Sequence, residues 1–420
     1  MQNKYKYNAN GTILMLFFIL PRSNPYLYRN IEVTVTTTDP NDDNGREPFL
    51  SHTIAQRLHD IKLQISKNVY QWEIYRKYTN PYEFIHTHIP FKKVSVSKYD
   101  PLSRSYFKMI EMIYKFDFNI FSNSATPIKT FHLAEAPGGF IEAVVSIRKK
   151  NSPFAVQSRD VYYGMTLQDE FTDETPSWTK GAYFFRENPN VVLENGYDGT
   201  GNILSTGNFQ YVKTKYGSSM DFITADGGFD FSKNFDEQEM RILPLLYGQV
   251  AYALTLQKKG GCFVLKIFDC FTEATLDILF LLTSMYEQVY ICKPFTSRQA
   301  NSEKYVICKN FLHASNFPLY SHLVGPFSTV VRAHYSDERV VRLFNIAIPI
   351  SLYQRIEEVN YLLGKEQIAN IDETLYIILH NHRNSATLLN EYVKSNVYKC
   401  ILWCIKHNIP VNKMCSLMTK

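Results

Sequence analysis

The chain has 420 residues, 45% of them apolar and 20% charged, and a net charge of +5. This is the composition of a globular protein with a sizeable core, arranged as two or three domains or as one domain with large extensions. It excludes a low-complexity chain, and so small a charge leaves room for a local basic groove but not for a strongly basic face. The seven cysteines are odd in number and scattered without zinc-ligand spacing to histidine. They point to reduced thiols, an intracellular protein and no metal site.

The first apolar run, TILMLFFIL at 12–20, is too short to cross a bilayer. Lys4 and Lys6 precede it, but PRSNPYLYR follows without a small-x-small cleavage pattern, so it reads as a buried strand or helix rather than a signal peptide. IEVTVTTTD (31–39) alternates like a strand, PNDDNGREP (40–48) reads as a charged loop, and 52–79 carries helical spacing. Residues 1–95 are therefore expected to form an N-terminal accessory region. DPLSRSYFKMIEMIYKF (100–116) starts a helix on Asp100 and Pro101. Its Arg104, Lys108, Glu111 and Lys115 fall on one stripe, which periodicity alone reads as a solvated face.

From 128 to 311 short apolar runs alternate with helices: IKTFHLA, VYYGMTL, NVVLENG, MDFITAD, CFVLKIF, VYICK and KYVICKNF, with the clearest helix at 236–258. This predicts a doubly wound, mostly parallel sheet. The last two runs are joined by only PFTSRQANSE, too short for a crossover helix, so they should form an antiparallel hairpin. The predicted fold class is α/β, a Rossmann-like methyltransferase sheet with one antiparallel strand. That domain is placed at 96–330, and 331–420 is expected to be a mostly helical extension. Cys400 and Cys404 there read as a packed helix face, as do His380, His382 and His407.

FHLAEAPGGF (131–140) lacks the G-x-G-x-x-G of a dinucleotide site. Its proline and adjacent glycines suit close approach of the amino-acid end of S-adenosylmethionine better than a pyrophosphate, although tight strand-to-helix turns use such a pair structurally too. In open α/β sheets the ligand crevice lies outside the carboxyl ends of the strands. Asp226 closes MDFITAD, followed by Gly227 and Gly228. Lys266 stands inside an otherwise apolar strand, where an unpaired charge is expensive. Glu303 opens the antiparallel strand, whose beginning lies at the same edge. Three distant charged residues thus converge.

With these segments in place, the chain resembles the FtsJ/RrmJ-type ribose 2′-O-methyltransferases, most closely the cap-specific mRNA enzymes of eukaryotes and large DNA viruses. SRSYFKMIEM, AEAPGGF, YYGMTL, YDGTGNI, ITADGGFDF, GGCFVLKIFD and KPFTSRQANSEKYVICKNF carry the resemblance over about residues 100–312. It implies a catalytic tetrad of Lys108, Asp226, Lys266 and Glu303. It implies S-adenosylmethionine lying against Ala136, Pro137, Gly138, Gly139 and Phe140, with Asp226 near its amino group. Asn202 stands on the adenine side, where the family often has an acid. Arg104, Arg298 and Asn301 would contact RNA, and the basic pairs Lys92-Lys93 and Arg148-Lys149-Lys150 would help or remain solvated charge runs. The substrate implied is capped mRNA, with structured ribosomal or transfer RNA, or a non-catalytic RNA-binding subunit on the same fold, as the alternatives. Other capping or transcription components are the partners implied, without a membrane. The place implied is cytoplasm, nucleus, viral replication site or virion. Lys266 would either take the hydroxyl proton or stabilise the developing alkoxide.

Overall fold

Each of the seven apolar runs between 128 and 311 becomes a strand. The structure is a computed structural model that describes residues 15–37, 49–122, 125–168, 177–228, 238–315, 317–380 and 385–416. In chain order the strands are β1 (Phe17–Ile19), β2 (Ile31–Thr37), β3 (Lys129–Leu133), β4 (Val161–Met165), β5 (Val191–Leu193) and β6 (Met220–Ala225). They continue with β7 (Gln257–Ile267), β8 (Tyr286–Cys292), β9 (Lys304–Phe311) and β10 (Glu338–Phe344). The principal helices are α1 (His52–Ser66), α2 (Val69–Thr79), α3 (Ser105–Phe116), α4 (Gly139–Asn151) and α5 (Thr206–Tyr216). After them come α6 (Gln238–Leu256), α7 (Glu273–Met285), α8 (Phe317–His334), α9 (Ile350–His380) and α10 (Ser385–Lys406). The charged loop read at 40–48 lies outside the described residues, as do His382 and the first residues of TILMLFFIL.

The main sheet has the order β1-β8-β9-β7-β6-β3-β4-β5. Strands β5, β4, β3, β6 and β7 run parallel, and β9 lies antiparallel between β7 and β8. The ten-residue connection forces this, because two adjacent parallel strands need a crossover and an antiparallel pair does not. β1, from the apolar run at 12–20, adds an antiparallel edge to β8. Only Phe18 of its three residues is buried, so the segment is a half-exposed edge strand.

The strands alternate between two apolar layers. On β7, Phe263, Leu265 and Ile267 enter the layer built with α6, α7 and α8. Cys262 and Val264 enter the opposite layer, with α3, α4 and α10. Side chains alternate across a strand, so Lys266 shares the face of Cys262 and Val264 and points toward α3. This parity positions the site.

The flanking regions pack on each other and on this sheet. β2 pairs with β10 in a separate two-stranded sheet, so the extension expected to be mostly helical also carries a strand, ERVVRLF. Periodicity did not mark it because β2 supplies its partner from 300 residues away. α1 and α2 pack against α9, and Asn370 Nδ2 ties α9 to the Thr79 carbonyl at 2.8 Å. Cys400 and Cys404 are buried on the core face of α10 and His407 just past its end, whereas His380, expected on a packed face, ends α9 exposed and stacks on Tyr376.

Candidate active site

Lys266 meets Tyr305 across the β7–β9 ladder, and Glu303 lies two residues before Tyr305, so all three share the face turned to α3. Lys108, from the first turns of α3, completes the group. Its Nζ lies 2.8 Å from Glu303 Oε1 and also donates to Oε2. Ser297 Oγ donates to Glu303 Oε1 at 2.6 Å. Lys266 Nζ lies 3.3 Å from Asp226 Oδ1 and donates to the Asp226 carbonyl. The two ion pairs are joined by Tyr305, whose hydroxyl donates to Asp226 Oδ1 at 3.0 Å and sits 3.5 Å from Lys108 Nζ. The structure therefore brings Lys108, Asp226, Lys266 and Glu303 into one nearly buried cluster. Tyr305 was missed by sequence reasoning. The signal was available: it stands two residues after Glu303, on the same strand face.

Burial alone would raise the Glu303 carboxyl, but the charges of Lys108 and Lys266 and the hydrogen bonds from Lys108 and Ser297 outweigh it and hold it well below the usual carboxylate range. Burial raises the Tyr305 hydroxyl, and the carboxylates of Asp226 and Glu303 raise it further. A second residue the sequence did not mark is Lys293, just past β8. Burial and then the charge of Lys304 push it down to about 7. It donates to the Asn301 carbonyl and side chain and to the Glu303 carbonyl, so it braces the loop that delivers Glu303.

The polar stripe of α3 is not a solvated face. Arg104 Nη1 pairs with buried Glu83 at 2.6 Å, and the same guanidinium donates to the Thr296 carbonyl. Glu111 is buried and accepts from the Phe295 and Thr296 amides and from Trp403 Nε1. Periodicity shows which residues share a face; only the packing of the β8–β9 loop and α10 shows that the face is covered. Arg298 also pairs with Glu83, at 3.1 Å. Burial works against ionisation of Glu83, yet Arg104 and Arg298 hold its carboxyl well below the usual range. Arg104 is thus spent on protein groups, while Arg298 and Asn301 line an open cleft. Lys92, Lys93, Lys149 and Lys150 are exposed. Arg148 is fully buried in a bidentate pair with Asp160, with Nε at 2.9 Å, and belongs to neither reading of its basic run.

The glycine pair has a structural role, one of the two readings its sequence allowed. A Cβ on Gly139 would stand 2.2 Å from the hydroxyls of Ser103 and Ser105 and 3.0 Å from the Tyr106 amide. Gly139 is a packing glycine that lets α4 meet the start of α3, the helix carrying Lys108. Gly138 has φ +107°, and a Cβ there would face Trp178 at 3.3 Å. This left-handed conformation is one that glycine adopts without strain. Ala136 donates its amide to Thr166 Oγ1 at 3.2 Å, Pro137 follows it, and Phe140 is buried. These residues cross the carboxyl edge of the sheet, on the side of Asp226. Asn202 uses its Oδ1 to accept from the Leu204 amide at 2.9 Å, so it shapes the loop after β5. That loop is tied to the one after β4 by Gln168 N donating to the Thr200 carbonyl.

Residues 101–311 match the model of the FtsJ-like methyltransferases. The chain is 28% identical to "Cap-specific mRNA (nucleoside-2'-O-)-methyltransferase 2" of Danio rerio, over 82% of this chain and 45% of the relative. It is 34% identical to "Cap-specific mRNA (nucleoside-2'-O-)-methyltransferase 1" of Trypanosoma brucei brucei, over 42% of this chain and 45% of the relative. The relative of that second name from Dictyostelium discoideum is 32% identical, over 67% of this chain and 38% of its own length. The chain thus spans less than half the length of each of these relatives. The matched segment, half of the chain, holds the whole sheet edge just described together with all four charged residues, and the chain belongs to the FtsJ-like methyltransferase family.

Proposed function

We propose that this chain transfers a methyl group from S-adenosylmethionine to a ribose 2′-hydroxyl of RNA, at a cap-proximal nucleotide of mRNA. The observation that carries the reading is the linked cluster of Lys108, Glu303, Tyr305, Asp226 and Lys266 at the carboxyl edge of a methyltransferase sheet. The names of the relatives support the substrate.

The residues at the edge fit the cofactor. The Asp226 carboxylate suits an ammonium group, and the backbone of 134–138, with its left-handed turn at Ala134 and Gly138, leaves the strand end beside it. When bound, S-adenosylmethionine supplies an electrophilic methyl group. Ala136 to Phe140 would hold its amino-acid end and the loop of Asn202 its adenine end.

Lys266 is the group placed to act on the hydroxyl. Its ion pair with Asp226 suits a cation that stabilises the oxygen as its proton leaves. Asp226 fixes Lys266 by its carboxylate and its carbonyl. Glu303 holds Lys108, and Tyr305 couples the two pairs. A network in which each member has a partner keeps its geometry without reorganising during reaction. We assign this chemistry to residues 96–330 and leave the flanks, 1–95 and 331–420, to shape access to it.

The test is methyl transfer to short capped and uncapped RNAs, with nucleoside analysis of the product. A 2′-O-methylated cap-proximal nucleoside is expected. A base-methylated product, or preference for structured uncapped RNA, would overturn the cap assignment.

A further inference from the structure

Beside the tetrad lies a cleft of about 480 Å³, and most of its wall comes from outside the segment the family model matches. The N-terminal helices contribute Ser66, Trp72 and Arg76, α9 contributes Gln367 and Asn370, and the β8–β9 loop contributes Arg298. Two further lining residues fix its position. Phe268 has its ring 5.7 Å from Lys266 Nζ, and Ser302 adjoins Glu303.

The lining has a distinct chemistry. Ile65 and Trp72 present an apolar wall that continues into a small core with Ile371. Amide side chains ring it. Arg76 and Arg298 are close enough for the charge of one to lower the basicity of the other, after the effect of burial. Arg298 is balanced by Glu83 and Arg76 by Glu73. Arg76 Nε and Asn80 Oδ1, both in lining residues, are buried without a hydrogen-bond partner. Both atoms lie beneath the surface of the wall, so what the cleft offers a ligand is its ring of amide side chains and its two arginines.

A metal ion does not suit this wall, whose one carboxylate among the described residues already faces Arg76. A purely apolar ligand does not suit its charged rim. A nucleotide does: it needs an apolar surface for the base face, amides for the base edge and cations for the phosphate. The cleft falls in the size range of small-ligand sites.

We propose that this cleft holds an RNA nucleotide neighbouring the acceptor ribose, its base on the Trp72 wall and its phosphate toward Arg76 and Arg298. The proposal rests on the reading of the tetrad as a ribose methyltransferase. It assigns substrate selection to the two flanks. The nucleotide is either the guanosine of the cap or a residue of the chain itself, which share this chemistry.

The experiment uses the full chain with a ten-nucleotide RNA, either capped or 5′-triphosphorylated, and measures RNA affinity, KM, kcat and S-adenosylmethionine affinity. Arg76→Gln removes a charge at a partly exposed position, and Ser66→Trp fills the cleft from an exposed one. Both should weaken RNA binding and raise KM by about tenfold or more, as expected for a lost charged contact, with cofactor affinity and kcat nearly unchanged. Arg76→Lys should recover part of the loss. Loss confined to capped RNA identifies the cap guanosine, and equal loss on both RNAs identifies a chain nucleotide. Wild-type RNA affinity and KM in both variants would overturn the cleft while leaving the tetrad reading intact. RNA binding without methylation would overturn the tetrad reading, and the variants' affinities would still decide the cleft. No RNA binding by the wild type overturns both.

Discussion

Replacing Lys266 by methionine removes the charge and shortens the side chain by only one heavy atom, so the perturbation is mainly electrostatic rather than a cavity. In the fold, Lys266 lies 3.3 Å from Asp226 Oδ1 and is 12% exposed. Asp226 would lose its cation but keep the Tyr305 hydroxyl at 3.0 Å. Removing one partner of a fully buried pair costs about 3–5 kcal/mol. The retained hydrogen bond and partial solvent access of Asp226 bring the expected cost toward about 1–3 kcal/mol, so the variant should fold. The loss in rate should be that of a group acting on the nucleophile, about a hundredfold or more, equivalent to about 2.7 kcal/mol in barrier. Single-turnover methyl transfer at saturating RNA gives the rate, calorimetry the cofactor affinity and denaturant unfolding the stability. The expected pattern is a lost rate, cofactor affinity within severalfold and a modest stability change. Lys266→Arg keeps the charge but cannot yield its proton; substantial activity there would assign Lys266 to electrostatic stabilisation. Near-wild-type rates in the methionine variant would reduce Lys266 to a paired buried charge, and the catalytic assignment would be withdrawn.

Tyr305→Phe should leave both ion pairs in place but uncouple them. A several-fold to tenfold fall in kcat is expected, with a stability change of about 1 kcal/mol; unchanged kcat would show that the bridge has no part in the reaction. Gly139→Ala should destabilise the protein by about 1–3 kcal/mol through overpacking against Ser103, Ser105 and the Tyr106 amide, and combining it with Ser103→Gly and Ser105→Gly should restore part of the melting temperature. Equal melting temperatures for Gly139→Ala and wild type would refute the packing role. Glu83 has a folded-state carboxyl held below its unfolded value of about 4.3, so its stabilising effect is complete above that value and fades as pH falls toward the folded one. The difference in urea midpoint between wild type and Glu83→Gln should therefore be full above about pH 5 and shrink on acidification; a gap that grows in acid would reverse the sign of the argument.

Much of this protein was legible along the chain. Strands β3 to β9 followed from apolar runs of the right length, and the antiparallel β9 from a ten-residue connection that cannot hold a crossover. Three of the four charged residues were legible for a related reason: a lysine inside an apolar strand and acids at strand ends are local anomalies, visible without knowing their partners, whereas Lys108 stood out only through the family resemblance. What only the tertiary structure decided is what each residue meets. The adjacent glycines looked like room for a ligand, yet the volume at Gly139 is taken by the start of α3, because helix contacts between distant segments leave no mark in the local pattern. The stripe of α3 looked solvated, but Glu83, the β8–β9 loop and α10 cover it. The edge position of β1, the pairing of β2 with β10 and the cleft between α2 and α9 belong to the same class. Period and composition fix which face a side chain takes; register and long-range packing, over hundreds of residues, fix what lies against that face.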